Sequence, residues 1–323
     1  MLDFLSGKLL GLFVRIRYPK VPPELRSFYK DTYRCRIRQL RYFVRDYVIR
    51  KPYKELSFQG EFAPELLFVL PFAYWHYRNG TLKSTVASRY TAQLYFFSPD
   101  HTEVFDTRTN EGNYNFEMPR ILYSHDYDMA KWTQVPLKAV YRNPVYVYDK
   151  PMLIIANRFN MEWDGPPVSF FSIPVLDFLI ETLSPAYTIL YNRPGPGHIT
   201  MDNSDIYELN DYEWLREKHP EVILLEDLYR ENKAGALNYN HLQMLVYANA
   251  DHFISIHGGT ATLASYFGGQ NLILSKKGPE HYFHCFSKLY TKLSDAEIYH
   301  ARDDDELKEM VIRHYLNPAA APK

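Results

Sequence analysis

Five places in this chain set polar, chemically able residues directly after a short apolar run: Asn157-Arg158, Asn192-Arg193, Glu226-Asp227, His257-Gly258-Gly259-Thr260, and Lys276 to Glu280. Arginine presents a planar fork that matches phosphate oxygens, which gives Arg158 and Arg193 a direct use. Gly258 and Gly259 let the backbone approach a ligand and take positive φ, and the N–H groups that open the following helix face an anion. Phosphate is the anion this set suits. A tight β-to-α turn closed by Thr260, with His257 packed near the core, would use the same glycines without any ligand. A purely structural sheet would not need two arginines, a histidine and two lysines in one neighbourhood.

The elements that would position these residues follow a regular rhythm after Pro151. The runs MLIIAN, YTILYN, VILLED, HFISIH and NLILS read as buried strands. The segments IPVLDFLIETL, DYEWLREKH, NHLQMLVYANA, TATLASYF and DDELKEMVIRHYL read as helices between and after them. Alternation of this kind predicts right-handed βαβ crossovers and a doubly wound parallel sheet over 151–316. In such a sheet, ligands bind outside the carboxyl ends of the strands near the switch in strand order. Residues 317–323 read as a loose tail.

Residues 56–150 read as a smaller α/β lobe, with ELLFVLPFAYW, AQLYFFS, TEVFDT, RILYS and KAVY as short strands. Residues 1–55 read as basic helices: fourteen Lys and Arg stand against five acids, a net of +9 in a chain whose total is −1. The first helix places Leu2, Leu5, Leu9, Leu12, Phe13 and Ile16 at helical spacing beside Lys8, Arg15 and Arg17. It is too short to span a bilayer, which takes roughly 20 apolar residues. It could lie on an anionic membrane surface, with residues 1–55 as the contact, or dock on its own domain. The Arg34–Lys51 run, with aromatic residues between arginines, raises nucleic acid as a partner; the acidic remainder and the lack of a recognition motif argue against it.

Cys35 and Cys285 form no metal-ligand or disulfide pattern, which favours a reducing, cytoplasmic compartment. Asn79-Gly80-Thr81 matches a glycosylation acceptor but reads as a turn. His241, His252 and His257 make no metal-ligand set, so no metal is expected. GxGxxG after the first strand of the larger lobe, GxxxxGK[ST] and GxSxG are all absent, which argues against a plain dehydrogenase, a P-loop ATPase and an α/β-hydrolase.

The run from Glu226 to Gly278, with Gln243, Ala250-Asp251, Ser255, His257-Gly258-Gly259, Gly268-Gly269 and the strand Asn271–Leu274, resembles the donor half of GT-B glycosyltransferases. These are two-lobed Rossmann-like enzymes that use nucleotide sugars, and the likeness is to families with an HGaGltn-style corner. The match covers roughly residues 150 to 300. A second glycine and a threonine stand where that style has Ala-Gly or Gly-Leu, which leaves the subfamily open. The N-terminal half resembles a short acceptor lobe of the kind found in bacterial surface-polysaccharide glycosyltransferases.

The resemblance implies metal-independent, inverting transfer from a nucleotide-diphosphate sugar, a substrate and not a cofactor, to a glycan or lipid-linked acceptor. The protein would be cytoplasmic, peripheral at the inner face of a membrane. In that role Gly258, Gly259, Thr260 and Arg193 would stabilise the leaving diphosphate. Asn157, Arg158, Asp227 and His257 would line the donor site, and Glu280, or alternatively Glu226, would hold the ribose hydroxyls. The general base would be His76, with His101, Asp100, Glu103 and Asp106 as rivals and a structural histidine among aromatics as the plain alternative. A non-catalytic polysaccharide-assembly protein and another α/β transferase, such as a pyruvyl transferase, remain as other classes.

Overall fold

A computed structural model describes residues 2–119, 123–162, 165–198 and 205–316, without the side chains of residues 2–6. The expected tail over 317–323 therefore lies outside the described residues. The chain opens with α1 (Leu2–Arg17) and α2 (Arg26–Leu40), followed by a π-helical turn over Val44–Ile49. Pro19, Pro22 and Pro23 fall between the two helices, where the missing N–H groups cost no helical bond.

The smaller lobe is a three-stranded parallel sheet in the order β1 (Lys54–Ser57), β2 (Leu82–Ser88), β3 (His101–Phe105). Strand β3 matches the expected TEVFDT run, whereas ELLFVLPFAYW is not a strand. It lies in a π-helical turn (Glu65–Val69) and α4 (Leu70–Arg78), which with α3 (Phe62–Pro64) just before them make the crossover between β1 and β2. Leu66, Leu67, Phe68, Val69, Leu70 and Phe72 are all buried, so this helix is apolar on every side and shows no amphipathic period. Pro71 withholds an N–H from the preceding turn. The Leu67 carbonyl instead accepts the Trp132 indole N–H at 2.8 Å, and the Leu66 carbonyl accepts the Tyr266 hydroxyl at 2.5 Å. AQLYFFS is a series of turns, and KAVY lies in α5 (Leu137–Tyr141). Of RILYS, residues 120–122 lie outside the described set and Tyr123 and Ser124 are not in a strand.

The larger lobe confirms the doubly wound expectation. Its strands are β4 (Met152–Ala156), β5 (Thr188–Asn192), β6 (Ile223–Leu224), β7 (His252–Ile256), β8 (Gln270–Leu274) and β9 (Glu297–Ala301). All pairs are parallel, in the order β6-β5-β4-β7-β8-β9. The connecting helices are α6 (Ile173–Leu183), α7 (Asp211–Lys218), α8 (Leu225–Glu231), α9 (Tyr239–Tyr247), α10 (Gly259–Ala264), α11 (Cys285–Lys288) and α12 (Asp304–Val311). Two elements differ from expectation. VILLED turns into helix after only two strand residues, and EIYHA supplies a sixth strand, β9.

Alternate residues of β4 feed two cores. Leu153 and Ile155 pack with α6 and α12, while Met152, Ile154 and Ala156 join a cluster that continues through α9 and α10 into the smaller lobe. The two lobes thus share one continuous apolar core. The strand order reverses between β4 and β7, and the loops that follow these two strands form the ligand-binding crevice of such a sheet.

Candidate active site

At the reversal, Asn157 follows β4 and spends its whole side chain on the protein. Its Oδ1 accepts the N–H groups of Arg158 and Phe171, both at 2.9 Å, and its Nδ2 donates to the Phe171 carbonyl and the Tyr191 hydroxyl, both at 3.0 Å. Asn157 is therefore a buried clamp and not the donor contact expected; its effect is to fix the turn that presents Arg158. Arg158 is only part-buried, and its Nη2 lies 3.7 Å from Glu162 Oε2.

Across the crevice, β7 ends in the glycine corner. Gly258 has φ +94° and ψ −150°, a backbone region that only glycine populates readily. A Cβ built there would stand 2.9 Å from Arg158 Nη1, so the guanidinium lies directly on the corner. A Cβ on Gly259 would stand 2.9 Å from Phe62 Cδ1, at the first residue of α3. The corner thus faces the smaller lobe. The Thr262 hydroxyl bonds the Gly258 carbonyl at 2.8 Å and the Tyr290 hydroxyl at 3.0 Å, while Thr260 sits half-buried in the first turn of α10.

His257 is buried, and its Nε2 lies 3.2 Å from Glu162 Oε1. Burial, followed by the nearby Arg158 charge, holds its pKa well below the ordinary imidazole value. A neutral ring facing a carboxylate carries its proton on Nε2, which leaves the Nδ1 lone pair buried and without a partner among the described residues. Glu162 is itself fixed by the N–H groups of Val168 and Ser169 at 3.1 and 2.8 Å.

Glu280 completes this neighbourhood. Its Oε1 accepts the hydroxyl of Tyr123, 157 residues earlier in the chain, at 2.9 Å, and its Oε2 is buried with no partner among the described residues. Burial raises its pKa, the Arg158 charge works against that rise and Glu162 adds to it. Glu162 and Tyr123 had no signal in the sequence, since each stands in an irregular loop outside the strand-end pattern.

The remaining expected residues lie elsewhere. Arg193 follows β5, but its Nε and Nη2 clamp Asp211 at 2.7 and 2.6 Å, and Nη2 reaches Glu208 at 2.9 Å. Two of the three nitrogens of this buried guanidinium are thus committed to carboxylates. It borders a separate pocket of about 280 Å³ with His198, Tyr212 and Glu226. Glu226 and Asp227 do not end a strand; they occupy the first turn of α8, where Asp227 pairs with Arg216 at 3.1 Å.

His76 departs furthest from expectation. It lies on α4, fully buried, with Nδ1 2.7 Å from the Thr81 hydroxyl, and burial together with Lys54 and Lys131 pushes its pKa down to about 2. A sealed imidazole of this kind cannot take a proton from an acceptor, so the structural alternative holds. Three of its rivals are also committed within the lobe: His101 bonds Thr85 at 2.8 Å, Glu103 accepts the N–H of Thr91 at 2.8 Å, and Asp106 pairs with Arg89 at 2.5 Å. Asp100 gives its backbone carbonyl to Ser98 at 2.9 Å, which leaves its exposed carboxylate as the remaining rival. Among the described residues, no group of three or more His, Cys, Asp or Glu is placed to hold a metal ion.

The fold and crevice define a two-lobed α/β protein with an anion-compatible corner at the switch point of its larger sheet. No family model matches the sequence, and no curated protein does. Solved structures similar to the chain include the ADP-heptose LPS heptosyltransferase II of E. coli, 11% identical, with 81% of this chain and 100% of that chain covered and a TM-score of 0.48. A glycosyl transferase family 9 structure from Veillonella parvula DSM 2008 is 12% identical over 82% of this chain and 90% of that one, with a TM-score of 0.47. A variant of the wall teichoic acid polymerase TagF is 11% identical over 96% and 88%, with a TM-score of 0.36.

Proposed function

We propose that this protein is a GT-B-type glycosyltransferase that moves a sugar from a nucleotide-diphosphate sugar to a glycan or lipid-linked acceptor in surface-polysaccharide synthesis. The observation that carries this reading is the placement of Arg158 on the Gly258-Gly259 corner at the strand-order switch. Transfer breaks the bond between the anomeric carbon and the diphosphate oxygen and forms one to the acceptor oxygen, with inversion and without a metal, and the proton of the acceptor hydroxyl passes to solvent water. The departing diphosphate gains negative charge, and a guanidinium beside glycine N–H groups is suited to stabilise it. Arg158 takes the part that the strand-end pattern had assigned to Arg193. The free Oε2 of Glu280 suits the ribose hydroxyls. The Nδ1 lone pair of His257, aligned by Glu162, suits a hydroxyl that donates to it.

Titration with UDP, GDP, ADP and CMP, read by thermal shift, tests the reading against phosphoenolpyruvate, the probe for a pyruvyl transferase. A nucleoside diphosphate should raise the Tm of the full chain and fail to do so in Arg158→Ala. No shift with any nucleotide at millimolar concentration would sink the proposal. The reading also includes a peripheral position on a membrane, reached through the basic N-terminal segment.

A further inference from the structure

The outward faces of the N-terminal helices are apolar where a solvated helix would be polar. On α1, Val14 packs inward while Leu9 (66% exposed), Leu12, Phe13 and Ile16 (72%) form a stripe at i, i+3, i+4 and i+7 on the opposite side. Exposed Lys8, Arg15 and Arg17 flank it. A second and longer apolar stretch, also within the basic segment 1–55, runs off the end of α2. Ile37, Leu40 (71%), Phe43, Val44, Tyr47, Val48 (69%) and Ile49 are all exposed, with Arg41, Arg45, Arg50 and Lys51 exposed among them.

The two stretches belong to one hairpin. Phe13 stacks edge-on against Tyr33 at 5.2 Å, and a Cβ on Gly7 would stand 3.1 Å from Arg34 Nη2, so α1 packs beside α2. Monomeric proteins rarely leave large apolar patches uncovered. Among the described residues, no helix is long and apolar enough to cross a membrane.

We propose that α1 and the Ile37–Lys51 stretch form one bipartite docking face for an anionic lipid bilayer, with the apolar residues entering the headgroup boundary and the arginines and lysines pairing with lipid phosphates. Charge complementarity selects this occupant: residues 1–55 carry a net +9 on a chain whose remainder is acidic. A solvated basic helix face would not need seven exposed apolar side chains, and a purely electrostatic partner would leave them in water. The inference rests on the peripheral membrane position proposed above and is independent of the donor reading.

The test is co-sedimentation of the full chain with phosphatidylcholine vesicles, with and without phosphatidylglycerol, at physiological ionic strength. Two triple variants are compared with it: Leu9→Ser/Leu12→Ser/Ile16→Ser, and Leu40→Ser/Val44→Ser/Val48→Ser. All six positions are exposed, so Tm and any nucleotide-induced shift should match those of the full chain. The full chain should pellet with the anionic vesicles alone, and each variant should lose roughly tenfold or more in partition. If the second variant binds like the full chain, the bipartite face is overturned while a membrane contact through α1 stands. If the full chain ignores phosphatidylglycerol, both ideas fall. A dimer in light scattering that dissociates in the variants would assign the face to a second copy and overturn the proposal, as would equal retention by duplex DNA.

Discussion

The Tyr123 hydroxyl donates to Glu280 at 2.9 Å, which ties the smaller lobe to the loop after β8 at the edge of the crevice. The accepted bond leaves Oε2 of a buried carboxyl with no partner among the described residues, in a place where burial raises its pKa. A folded pKa above the unfolded one means that the native state holds a proton that the unfolded chain releases. This group therefore favours folding at low pH and loses that contribution as pH rises through the unfolded value toward the folded one. Glu280→Gln should accordingly raise Tm at pH 7.5 and leave it unchanged near pH 4, while weakening any nucleotide-induced shift. Paired melting curves at the two pH values check the sign, and a lower Tm at pH 7.5 would refute it.

His76 gives the opposite slope. With its folded pKa near 2, the native state stays neutral while the unfolded chain takes a proton below its ordinary value of 6.5. Stability should fall as pH drops through that window, by up to ~1.4 kcal/mol per pH unit from this group. His76→Gln should flatten the acid limb of a denaturant-based pH profile. Its nucleotide shift should remain that of the wild type at pH 7.5, as befits a residue remote from the crevice.

The two arginines should separate binding from stability. Arg158 is part-buried and loosely paired, so Arg158→Ala should abolish nucleotide binding with less than about 1 kcal/mol of stability lost. Arg193→Ala leaves Asp211 buried without its bidentate partner, and this should cost ~3–5 kcal/mol. Urea unfolding and thermal shift on both variants distinguish the two roles.

Two glycines should also separate. Gly258→Ala forces an L residue into a region that only glycine favours and pushes its Cβ at Arg158, so binding should be lost together with ~1–3 kcal/mol of stability. Gly269→Ala drives a Cβ into the Asp251 backbone at a φ of +66°, remote from the corner, and should impair folding itself. Soluble yield and urea midpoints test this ordering.

Glu162→Ala strips the acceptor from the N–H groups of Val168 and Ser169 and the partner from His257 Nε2, leaving buried donors unpaired. A loss of ~2–4 kcal/mol is expected, with a smaller loss in Glu162→Gln, read by urea denaturation.

The sequence by itself determined the doubly wound lobe, because strands buried on both faces and amphipathic helices leave a period that can be read along the chain. It also located the corner, since Gly258 and Gly259 directly follow an apolar run. Only the tertiary structure decided which residues meet there. Arg158 and Arg193 look alike as strand-end arginines, yet Asp211, eighteen residues after Arg193, folds back to neutralise one of them. Glu162 and Tyr123 reach the crevice from loops, where no periodicity marks a residue's direction. The helix over 62–78 was hidden because a segment buried on every side has no polar face to show its pitch. His76 looked like a base because its ring is common in catalysis; its burial, set by residues distant in the chain, made it a structural one.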